Sequence, residues 1–425
     1  MDTIFALATA RGKAGVAIVR ISGPLARPGL TPFIGPLPPP QTHALRTVRS
    51  SDGEVIDRAL ILAFEAGHSF TGEDVVELHL HGSPAIIGRV LTLLDAIDGF
   101  RPAEPGEFTR RALMNDRMTL DQVEGLADLI DAETDLQRQQ AQQAFDGVLS
   151  TRVAQWRNDL LEAAALIEAT IDFVDEDVPV DVMPDVSALI DRTRQSLQDE
   201  LDGSFAAERL RDGFEVAIVG EPNIGKSSLI NALARRQVAL TSDLAGTTRD
   251  VIEVRMEIAG LPVTLLDTAG LREATDPIER MGVDVARTRA DAADLRIFLV
   301  ESLSEALPFP GLPDDIVVRT KDDAGRLDNS ISARTGHGLP ALVQKIADRL
   351  TYKVSQASLT TRERYRNAYR IALSTLDHCN NLSDHQAEVI ALNIRDASDA
   401  LSELIGPLQP DDVLDIVFSR FCIGK

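Results

Sequence analysis

The feature that most constrains the fold of this 425-residue chain lies near its middle, at Gly220-Glu-Pro-Asn-Ile-Gly-Lys-Ser227. The spacing is that of the phosphate-binding loop, G-x-x-x-x-G-K-[ST]. An apolar run at 214–219 precedes it and a helix-like run at 228–233 follows it, so the context is strand, loop and helix. Glycines let backbone N–H groups turn toward phosphate oxygens, and the helix N-terminus adds a favourable dipole. We therefore expect a nucleoside-triphosphate domain in which Lys226 reaches the β- and γ-phosphates and Ser227 holds Mg²⁺.

Composition limits the classes of protein to which the chain can belong. Hydrophobic residues make up 44% and charged residues 26%, as in soluble globular proteins. The net charge of −23 repels nucleic acid and anionic membranes, so any contact with nucleic acid needs a local basic patch or a partner protein. Two cysteines, Cys379 and Cys422, cannot form a disulfide framework, which fits a reducing cytosol. Because no apolar run is long enough to cross a bilayer, we expect a cytoplasmic protein with no membrane span and no secretory signal.

Patterns along the chain indicate three kinds of structure. Residues 1–116 mix β-like runs, Gly-rich turns and a helical stretch, which predicts an α+β domain; six prolines within 28–40 predict a loop there. Apolar residues recur at three- and four-residue steps in 117–210 and again in 353–425, which predicts helices that pack into one discontinuous bundle. Residues 211–352 alternate strands and helices, so we predict a multidomain α/β protein whose bundle carries an inserted P-loop (Ras-like) domain with a doubly wound, mostly parallel sheet. The predicted strands of that domain are 214–219, 251–258, 263–267, 295–300, 316–319 and 329–331.

Three further motifs follow the phosphate loop. Asp267-Thr-Ala-Gly270 closes a predicted strand; its carboxylate can approach Mg²⁺ through a water, and its glycine N–H can reach the γ-phosphate. Gly246-Thr-Thr-Arg-Asp250 offers a threonine that completes the Mg²⁺ coordination only when the γ-phosphate is present, which makes a switch. Thr320-Lys-Asp-Asp323 fits the guanine-recognition pattern, because its last carboxylate can accept from the ring N–H and the amino group of guanine. Ser332-Ala-Arg334 supplies backbone donors near the guanine carbonyl.

Each motif alone has another interpretation: phosphate-loop matches occur by chance, and Thr320-Lys-Asp-Asp323 could be a solvated charge run. Four motifs in GTPase order and at GTPase spacing together indicate GTP. The residue after the Asp-Thr-Ala-Gly motif is Leu271, which cannot orient water as the glutamine of Ras-type enzymes does. Glu273, Asp276 and Glu279 are all candidates for that role, and Asn223 inside the phosphate loop could ligate a monovalent cation.

Other segments extend the pattern beyond the nucleotide domain. They are Asp2-Thr-Ile with Gly15-Val-Ala-Ile-Val-Arg-Ile-Ser-Gly23, Phe70-Thr-Gly-Glu-Asp-Val-Val-Glu-Leu78, Pro105-Gly-Glu-Phe-Thr-Arg-Arg-Ala112, Ala127-Asp-Leu-Ile-Asp-Ala132 and the terminal Phe421-Cys-Ile-Gly-Lys425. Together with the GTPase motifs, these segments resemble the MnmE (TrmE) family of tRNA-modifying GTPases over the whole chain. The terminal motif is unlike ordinary GTPases.

The resemblance implies a function and partners. It implies an N-terminal domain (1–116) that binds folate and dimerises, a helical domain (117–210 and 353–425), and an inserted G domain (211–352). Family members act with MnmG, a partner that uses FAD and NADH, to install an aminomethyl or carboxymethylaminomethyl group on the wobble uridine of certain tRNAs. A tetrahydrofolate derivative (5-formyl- or methylene-) supplies the one-carbon unit, and K⁺ takes the place of an arginine finger when the two G domains of the dimer meet.

The resemblance also assigns roles to residues. It implies Ser227 and Thr248 as Mg²⁺ ligands, and Glu279, Lys226 and Thr248 as catalytic residues. The implied K⁺ site is formed by Asn223, Ser242, Leu244 and Thr247. The implied folate contacts are Arg20, Glu77, Arg117 and Lys425, with Cys422 as a possible catalytic thiol. The residues expected to contact GTP or GDP are Asn223, Ile224, Gly225, Lys226, Ser227, Ser228, Ser242, Asp243, Leu244, Ala245, Gly246, Thr247, Thr248, Asp267, Thr268, Ala269, Gly270, Thr320, Lys321, Asp322, Asp323, Ser332, Ala333 and Arg334.

Some positions depart from the family pattern or have plainer interpretations. Thr320 stands where Asn is usual, and Arg117 where Lys is commoner, which changes the geometry of any contact there. His79 and His81 could suggest a metal, but two histidines on one strand face are more often structural. A ribosome-assembly GTPase of the Era/Der type is the alternative function; such proteins share the phosphate loop but lack the two terminal motifs.

Overall fold

A computed structural model describes residues 2–172, 182–236, 253–267, 288–304, 307, 310–379, 387–404 and 424. The chain divides into two compact units. The first comprises residues 1–127 together with 405–425, and the second comprises residues 128–404. Each unit has its own hydrophobic core.

The first unit is built on a six-stranded sheet in the order β3-β4-β5-β2-β1-β6. Its strands are β1 (Thr3–Leu7), β2 (Val16–Ser22), β3 (Thr42–Arg49), β4 (Val55–Phe64), β5 (Val75–His81) and β6 (Phe100–Pro102). Its helices are α1 (Thr31–Ile34), α2 (Pro84–Asp95), α3 (Glu107–Met114) and α4 (Leu120–Asp131), which runs past the boundary into the second unit. All neighbouring strands are antiparallel except β1 and β6.

Alternation along the strands separates two faces of this sheet. One face carries the core, in which Val19, Ile21, Leu78 and Ile61 are almost fully buried. The opposite face carries Val16, Leu45 and Leu60, which are 54%, 65% and 37% exposed. Leu45 and Leu60 are register partners on β3 and β4, and Val16 lies on the same face of β2, with β5 between. We call this side of the sheet the open face.

The second unit begins with a helical bundle. Its helices are α5 (Asp135–Phe145), α6 (Val148–Asp172), α7 (Met183–Asp212), α10 (Glu363–Cys379) and α11 (Ala387–Ser402). Helix α6 packs on α7 and α11, and α10 packs on the same two helices, so four of them close into a bundle. Tyr369 is fully buried, and its ring meets that of Trp156 edge to face at 5.5 Å.

A nucleotide-binding domain interrupts this bundle in sequence. Its sheet has the order β11-β10-β7-β9-β8, parallel except for the antiparallel edge strand β8. The strands are β7 (Phe214–Gly220), β8 (Glu253–Ile258), β9 (Leu261–Asp267), β10 (Leu295–Val300) and β11 (Ile316–Arg319), and the helices are α8 (Lys226–Ala234) and α9 (Leu339–Val354). Helices from both sides of the insertion pack together, which confirms the predicted discontinuous bundle.

The chain re-enters the bundle at a tight contact with α7. Glu200 is 3% exposed, pairs with Arg152, and accepts hydrogen bonds from Leu359 N at 3.1 Å and Thr360 Oγ1 at 3.0 Å. Ser358 N donates to Gly203 O at 3.1 Å. A Cβ at Gly203 would lie 2.4 Å from Gln356 O, so only glycine allows the linker this close to α7.

Several local predictions need correction. Strand β3 was not predicted, although its alternation is visible in retrospect, and the proline-rich stretch contains the one-turn helix α1. The predicted strand at 329–331 is reduced to an isolated bridge between Ser330 and Arg319, because the chain there turns to serve the base-recognition loop. The helical periodicity of the sequence is interrupted around 178–184, and that interruption lies mostly outside the described residues.

Candidate functional site

The phosphate loop connects β7 to α8 in the geometry that its sequence demands. Gly220 pairs with Leu299 across β7 and β10, and a Cβ on it would lie 2.7 Å from Leu299 O. Gly225 adopts φ +113 immediately before α8, which begins at Lys226. These glycines therefore let two strands approach and let the loop turn into a helix N-terminus, which is the cradle an anionic phosphate requires.

Asn223, at the tip of this loop, adopts a left-handed backbone with φ +61. Asparagine tolerates this conformation better than most residues with a side chain. Backbone geometry is therefore a sufficient reason for an asparagine here, independent of any bound cation.

Lys226 is 6% exposed, and its ammonium donates to Gly220 O at 2.8 Å and Glu221 O at 3.0 Å. Burial lowers the pKa of this ammonium, and the nearby Asp267 carboxylate opposes that shift. The contacts hold the side chain folded over the loop, so the positive charge is positioned before any phosphate arrives.

Ser227, in the first turn of α8, meets Asp267, at the carboxyl end of β9. Ser227 Oγ donates to Asp267 Oδ2 at 2.6 Å, whereas Asp267 Oδ1 is buried without a hydrogen-bond partner in the described part of the chain. A buried carboxylate oxygen beside a serine hydroxyl is an incomplete set of hard oxygen ligands. The hydroxyl and the carboxylate are therefore donors of the kind that fit Mg²⁺.

A cavity of about 270 Å³ opens beside the loop. Its lining residues are Asn223, Ile224, Gly225, Ser228, Leu229, Thr320, Lys321, Asp323, Ile331, Ser332, Ala333 and Arg334. Asp323 accepts from Ser332 Oγ at 2.6 Å and pairs with Arg334 at 2.6 Å. The Thr320 hydroxyl is buried with no partner among the described residues. The cavity thus presents a carboxylate and an unsatisfied hydroxyl to a polar ring.

Asp322 behaves differently from its neighbour. Its carboxylate accepts from Leu327 N at 2.8 Å and from Ser330 Oγ at 2.7 Å, and it does not line the cavity. The Leu327 N–H, followed by the Ser330 hydroxyl, lowers the pKa of Asp322 to about 2. Asp322 therefore holds the base-recognition loop in shape, and sequence reasoning missed both this role and the part of Ser330.

Many predicted nucleotide residues lie outside the described residues. They are Ser242, Asp243, Leu244, Ala245, Gly246, Thr247, Thr248, Thr268, Ala269, Gly270 and Glu279, and the same holds for Cys422 and Lys425 at the C-terminus. Their roles stay predictions.

Two of the predicted folate contacts face each other in the first unit. Arg20 on β2 is in register with Glu77 on β5, and Arg20 Nε donates to Glu77 Oε1 at 2.9 Å. The guanidinium lies over the rings of Phe70 and Phe108 at 5.4 and 5.8 Å. His79 Nε2 lies 3.3 Å from Glu77 Oε2. The pair is thus a half-buried ion pair backed by aromatic rings.

Of the other two predicted folate positions, Arg117 is described and Lys425 lies outside the described residues. A Cβ on Gly72 would contact the Arg117 side chain at 3.2 Å. Gly424, the residue before Lys425, has φ +102 and lies so close to Leu7 O that a Cβ would be 2.2 Å from it. Leu7 follows Ala6, which pairs with Arg20 across β1 and β2.

A charged network beside this pair was not predicted from the sequence. Arg111 is largely buried, donates to both oxygens of Glu73 at 3.1 Å, and pairs with Glu107 at 3.0 Å. Glu73 also accepts from Ser22 Oγ at 2.6 Å. Positive partners lower the pKa of Glu107 against the opposing effect of burial. The signal was present in the sequence, since these residues lie within the quoted segments.

The metal interpretation of the two histidines is not supported. His81 Nδ1 lies 2.7 Å from Asp57 Oδ1, and the backbone N–H of His81 donates to Asp57 Oδ2 at 2.9 Å. The partner of His81 is therefore a structural carboxylate. Within the residues that the structure describes, no group of three or more His, Cys, Asp or Glu side chains is arranged to hold a metal.

A parallel sheet with a phosphate loop, a buried lysine, a Ser–Asp pair and a carboxylate in the adjoining base cavity defines a P-loop GTPase. The comparisons with known proteins identify which kind. Residues 3–117 match the family model described as GTP-binding protein TrmE N-terminus, and residues 120–422 match the MnmE helical domain. The chain belongs to the MnmE (TrmE) family of tRNA modification GTPases.

Individual relatives agree with the family assignment. The chain is 53% identical over 432 residues to the tRNA modification GTPase MnmE of Cereibacter sphaeroides, and 51% identical over 429 residues to that of Roseobacter denitrificans; both alignments cover 100% of each chain. Among solved structures, Aquifex aeolicus Era Y63A bound to GDP.AlF4- is 28% identical, covering 32% of this chain and 56% of that chain, with a TM-score of 0.26.

None of the helices in the described ranges combines the length and apolarity needed to cross a bilayer.

Proposed function

We propose that this protein is a K⁺-stimulated GTPase that acts with MnmG to add a carboxymethylaminomethyl or aminomethyl group to the wobble uridine of certain tRNAs. A tetrahydrofolate derivative supplies the one-carbon unit, and the reaction takes place in the cytoplasm. The observation that carries the proposal is a nucleotide site already built around Ser227, Asp267 and Asp323 in a chain that matches tRNA modification GTPases over its full length.

The nucleotide would occupy the loop and the adjoining cavity. Lys226 would pair with the β- and γ-phosphates, Ser227 and Thr248 would hold Mg²⁺, and Asp323 would accept from guanine. The ion pair of Asp323 with Arg334 is largely exposed, so guanine can displace it at small cost. Glu279 would orient the attacking water, since Leu271 cannot.

The K⁺ site would use the side chain of Asn223 with Ser242, Leu244 and Thr247. Because Asn223 has a left-handed backbone, Asn223→Gly keeps the loop geometry while it removes the ligand. We expect Asn223→Gly to bind GTP normally and to lose the faster hydrolysis in K⁺ over Na⁺. A variant that keeps its K⁺ stimulation would remove the cation mechanism.

The folate would be bound by Arg20, Glu77, Arg117 and Lys425. A guanidinium and an ammonium suit its glutamyl carboxylates or ring carbonyl, and a carboxylate suits pterin N–H groups. Cys422 precedes Lys425 by three residues and is a possible thiol at this site. We expect Arg20→Ala to weaken the binding of 5-formyltetrahydrofolate in calorimetry, and unchanged affinity would contradict the assignment.

The open face supports a homodimer formed through the N-terminal domain. It exposes the paired residues Leu45 and Leu60 on β3 and β4, and Val16 two strands away on β2. Exposed apolar patches mark interaction sites. A second copy of the chain is the occupant that the family assignment favours.

The alternative is a ribosome-assembly GTPase of the Era/Der type without modification chemistry. Nucleoside analysis of tRNA from a strain that lacks the gene separates the two. We expect the modified wobble uridine to disappear; its persistence would favour the alternative.

A further inference from the structure

The chain carries −23 charges, yet its proposed substrate is a polyanion. The acidic charge is unevenly distributed: the first unit (1–127 and 405–425) holds 14 Lys and Arg against 18 Asp and Glu, so −19 of the net charge falls on residues 128–404 of the second unit. Electrostatics therefore directs an RNA away from the second unit and toward the first.

Within the first unit, basic side chains collect at one end of the sheet. The β1–β2 turn carries Arg11 and Lys13, both exposed, and Arg58, also exposed, lies near the start of β4, which β5 separates from β2. Strand register brings the turn and β4 to the same end, because Val16 pairs with His81 and Asp57 holds the His81 ring. We call Arg11, Lys13 and Arg58 the basic rim.

The cations of the basic rim are available for a ligand. Within the described residues, none of the three side chains makes an ion pair or hydrogen bond. The carboxylates at this end are already engaged: Asp52 accepts from Ser50 Oγ, Glu54 pairs with Arg89, and Asp57 binds His81. Arg49, at the end of β3, donates to Gly53 O and adds a further positive charge.

The turn that presents two of these cations is anchored at its base. Ala14 N donates to Gly82 O at 3.0 Å, and Gly82 packs so closely that a Cβ on it would lie 2.4 Å from Ala14 O. Gly12 adopts φ +135 between the two cations, a conformation that favours glycine. Both cations of the turn are exposed, and Arg11 lines a cavity together with Pro84 and Ile87 of α2.

The basic rim also stands near the proposed one-carbon site. His81 and Glu77 are four residues apart on β5, a separation of about 13 Å along a strand. A polynucleotide bound along the rim would bring nearby nucleotides toward the Arg20–Glu77 pair.

We propose that the basic rim binds the phosphodiester backbone of the tRNA substrate, and this rests on the proposed function. Phosphate contacts of this kind position an RNA without reading its sequence. Arg11 and Lys13 belong to the β1–β2 turn, outside the strand positions that form the open face. The proposal supplies the local basic patch that the composition of the chain requires.

The test is fluorescence anisotropy of labelled tRNA with the full-length protein across a salt series. We expect the combined Arg11→Gln, Lys13→Gln and Arg58→Gln variant to bind roughly tenfold or more weakly at low salt, with a salt slope smaller by about two to three. The matched control removes three exposed cations elsewhere, by Arg138→Gln, Arg157→Gln and Arg349→Gln, and should bind as the wild type does.

Three outcomes would overturn the proposal: equal affinity of the rim variant, loss of MnmG binding with tRNA affinity intact, or no salt-dependent tRNA binding by the wild type at low salt. The GTPase rate of the rim variant should stay normal. The proposed function fails by a different result, namely persistence of the modified uridine in the deletion strain, so the two failures are distinguishable.

Discussion

Two adjacent aspartates in the base-recognition loop do different work. Asp323 faces the cavity, and Asp322 turns away to bind Leu327 N and Ser330 Oγ. The motif predicted the first role because its chemistry is local to guanine. It could not predict the second, because the partners of Asp322 become neighbours only when the loop closes on itself.

We expect Asp322→Asn to weaken guanine-nucleotide affinity severalfold, because an amide accepts these hydrogen bonds less strongly than a carboxylate. The pKa of Asp322 is lowered to about 2, so its stabilising effect is present above the ordinary aspartate pKa of 3.8 and is lost as pH falls toward 2. The difference in Tm between wild type and variant should therefore narrow from pH 6 to pH 3. A difference that stays constant over that range would contradict the argument.

Asn223 shows how one residue type can satisfy two physical demands. A left-handed backbone and a cation ligand both favour asparagine, so the sequence alone cannot separate them. The structure explains the backbone preference, and the Asn223→Gly variant proposed above tests the role of the side chain as a cation ligand.

At the scale of elements, helix α7 connects the nucleotide domain to the bundle. Its Glu200 and Gly203 hold the returning linker at residues 356–360, more than 150 residues later in the chain. Amphipathic periodicity predicted α7 and its partners, since the pattern is local. The contact of Glu200 and Gly203 with the linker joins segments that are distant in sequence, so no local pattern predicts it.

We expect Gly203→Ala to destabilise the second unit by about 1–3 kcal/mol, because its Cβ would meet backbone atoms that cannot shift cheaply. The matched control is Gly88→Ala in the middle of α2, where the added Cβ would meet no described atom within 4 Å. Alanine there should stabilise by about 0.5–1 kcal/mol through helix propensity. Thermal unfolding of both variants measures these changes in stability. If Gly203→Ala leaves the stability unchanged, the linker is not packed against α7.

The element predictions succeeded where hydrophobic periodicity was strong. Buried β7 and β10 read as continuous apolar runs, and their positions agree with expectation. The strand expected at 329–331 is only a single bridge: Arg319 N donates to Asn329 O at 3.0 Å and Ile331 N donates to Arg319 O at 2.8 Å, and the pairing goes no further.

At the scale of the whole molecule, the open face of the first unit is the surface on which our dimer proposal depends. Leu45→Glu places a charge on this face, at the edge strand β3, without touching the core, since Leu45 is 65% exposed. We expect light scattering to show a shift from dimer to monomer. Leu303→Glu, at a 44% exposed leucine in the nucleotide domain, is the control and should stay dimeric. A Leu45→Glu protein that remains dimeric would move the interface elsewhere.

The domain boundaries at 116, 210 and 352 stay predictions, whereas the insertion of the nucleotide domain follows from the packing of α6 and α7 on α10 and α11. We propose that this insertion makes tRNA modification depend on the GTPase cycle.

That claim is tested most directly by the amount of modified wobble uridine in tRNA from a deletion strain that carries the gene on a plasmid. Ser227→Ala removes the hydroxyl that meets Asp267, and Ser374→Ala removes an exposed hydroxyl on α10 as a control. We predict that the wild-type and Ser374→Ala genes restore the modified nucleoside and that Ser227→Ala does not. Full restoration by Ser227→Ala would contradict the account.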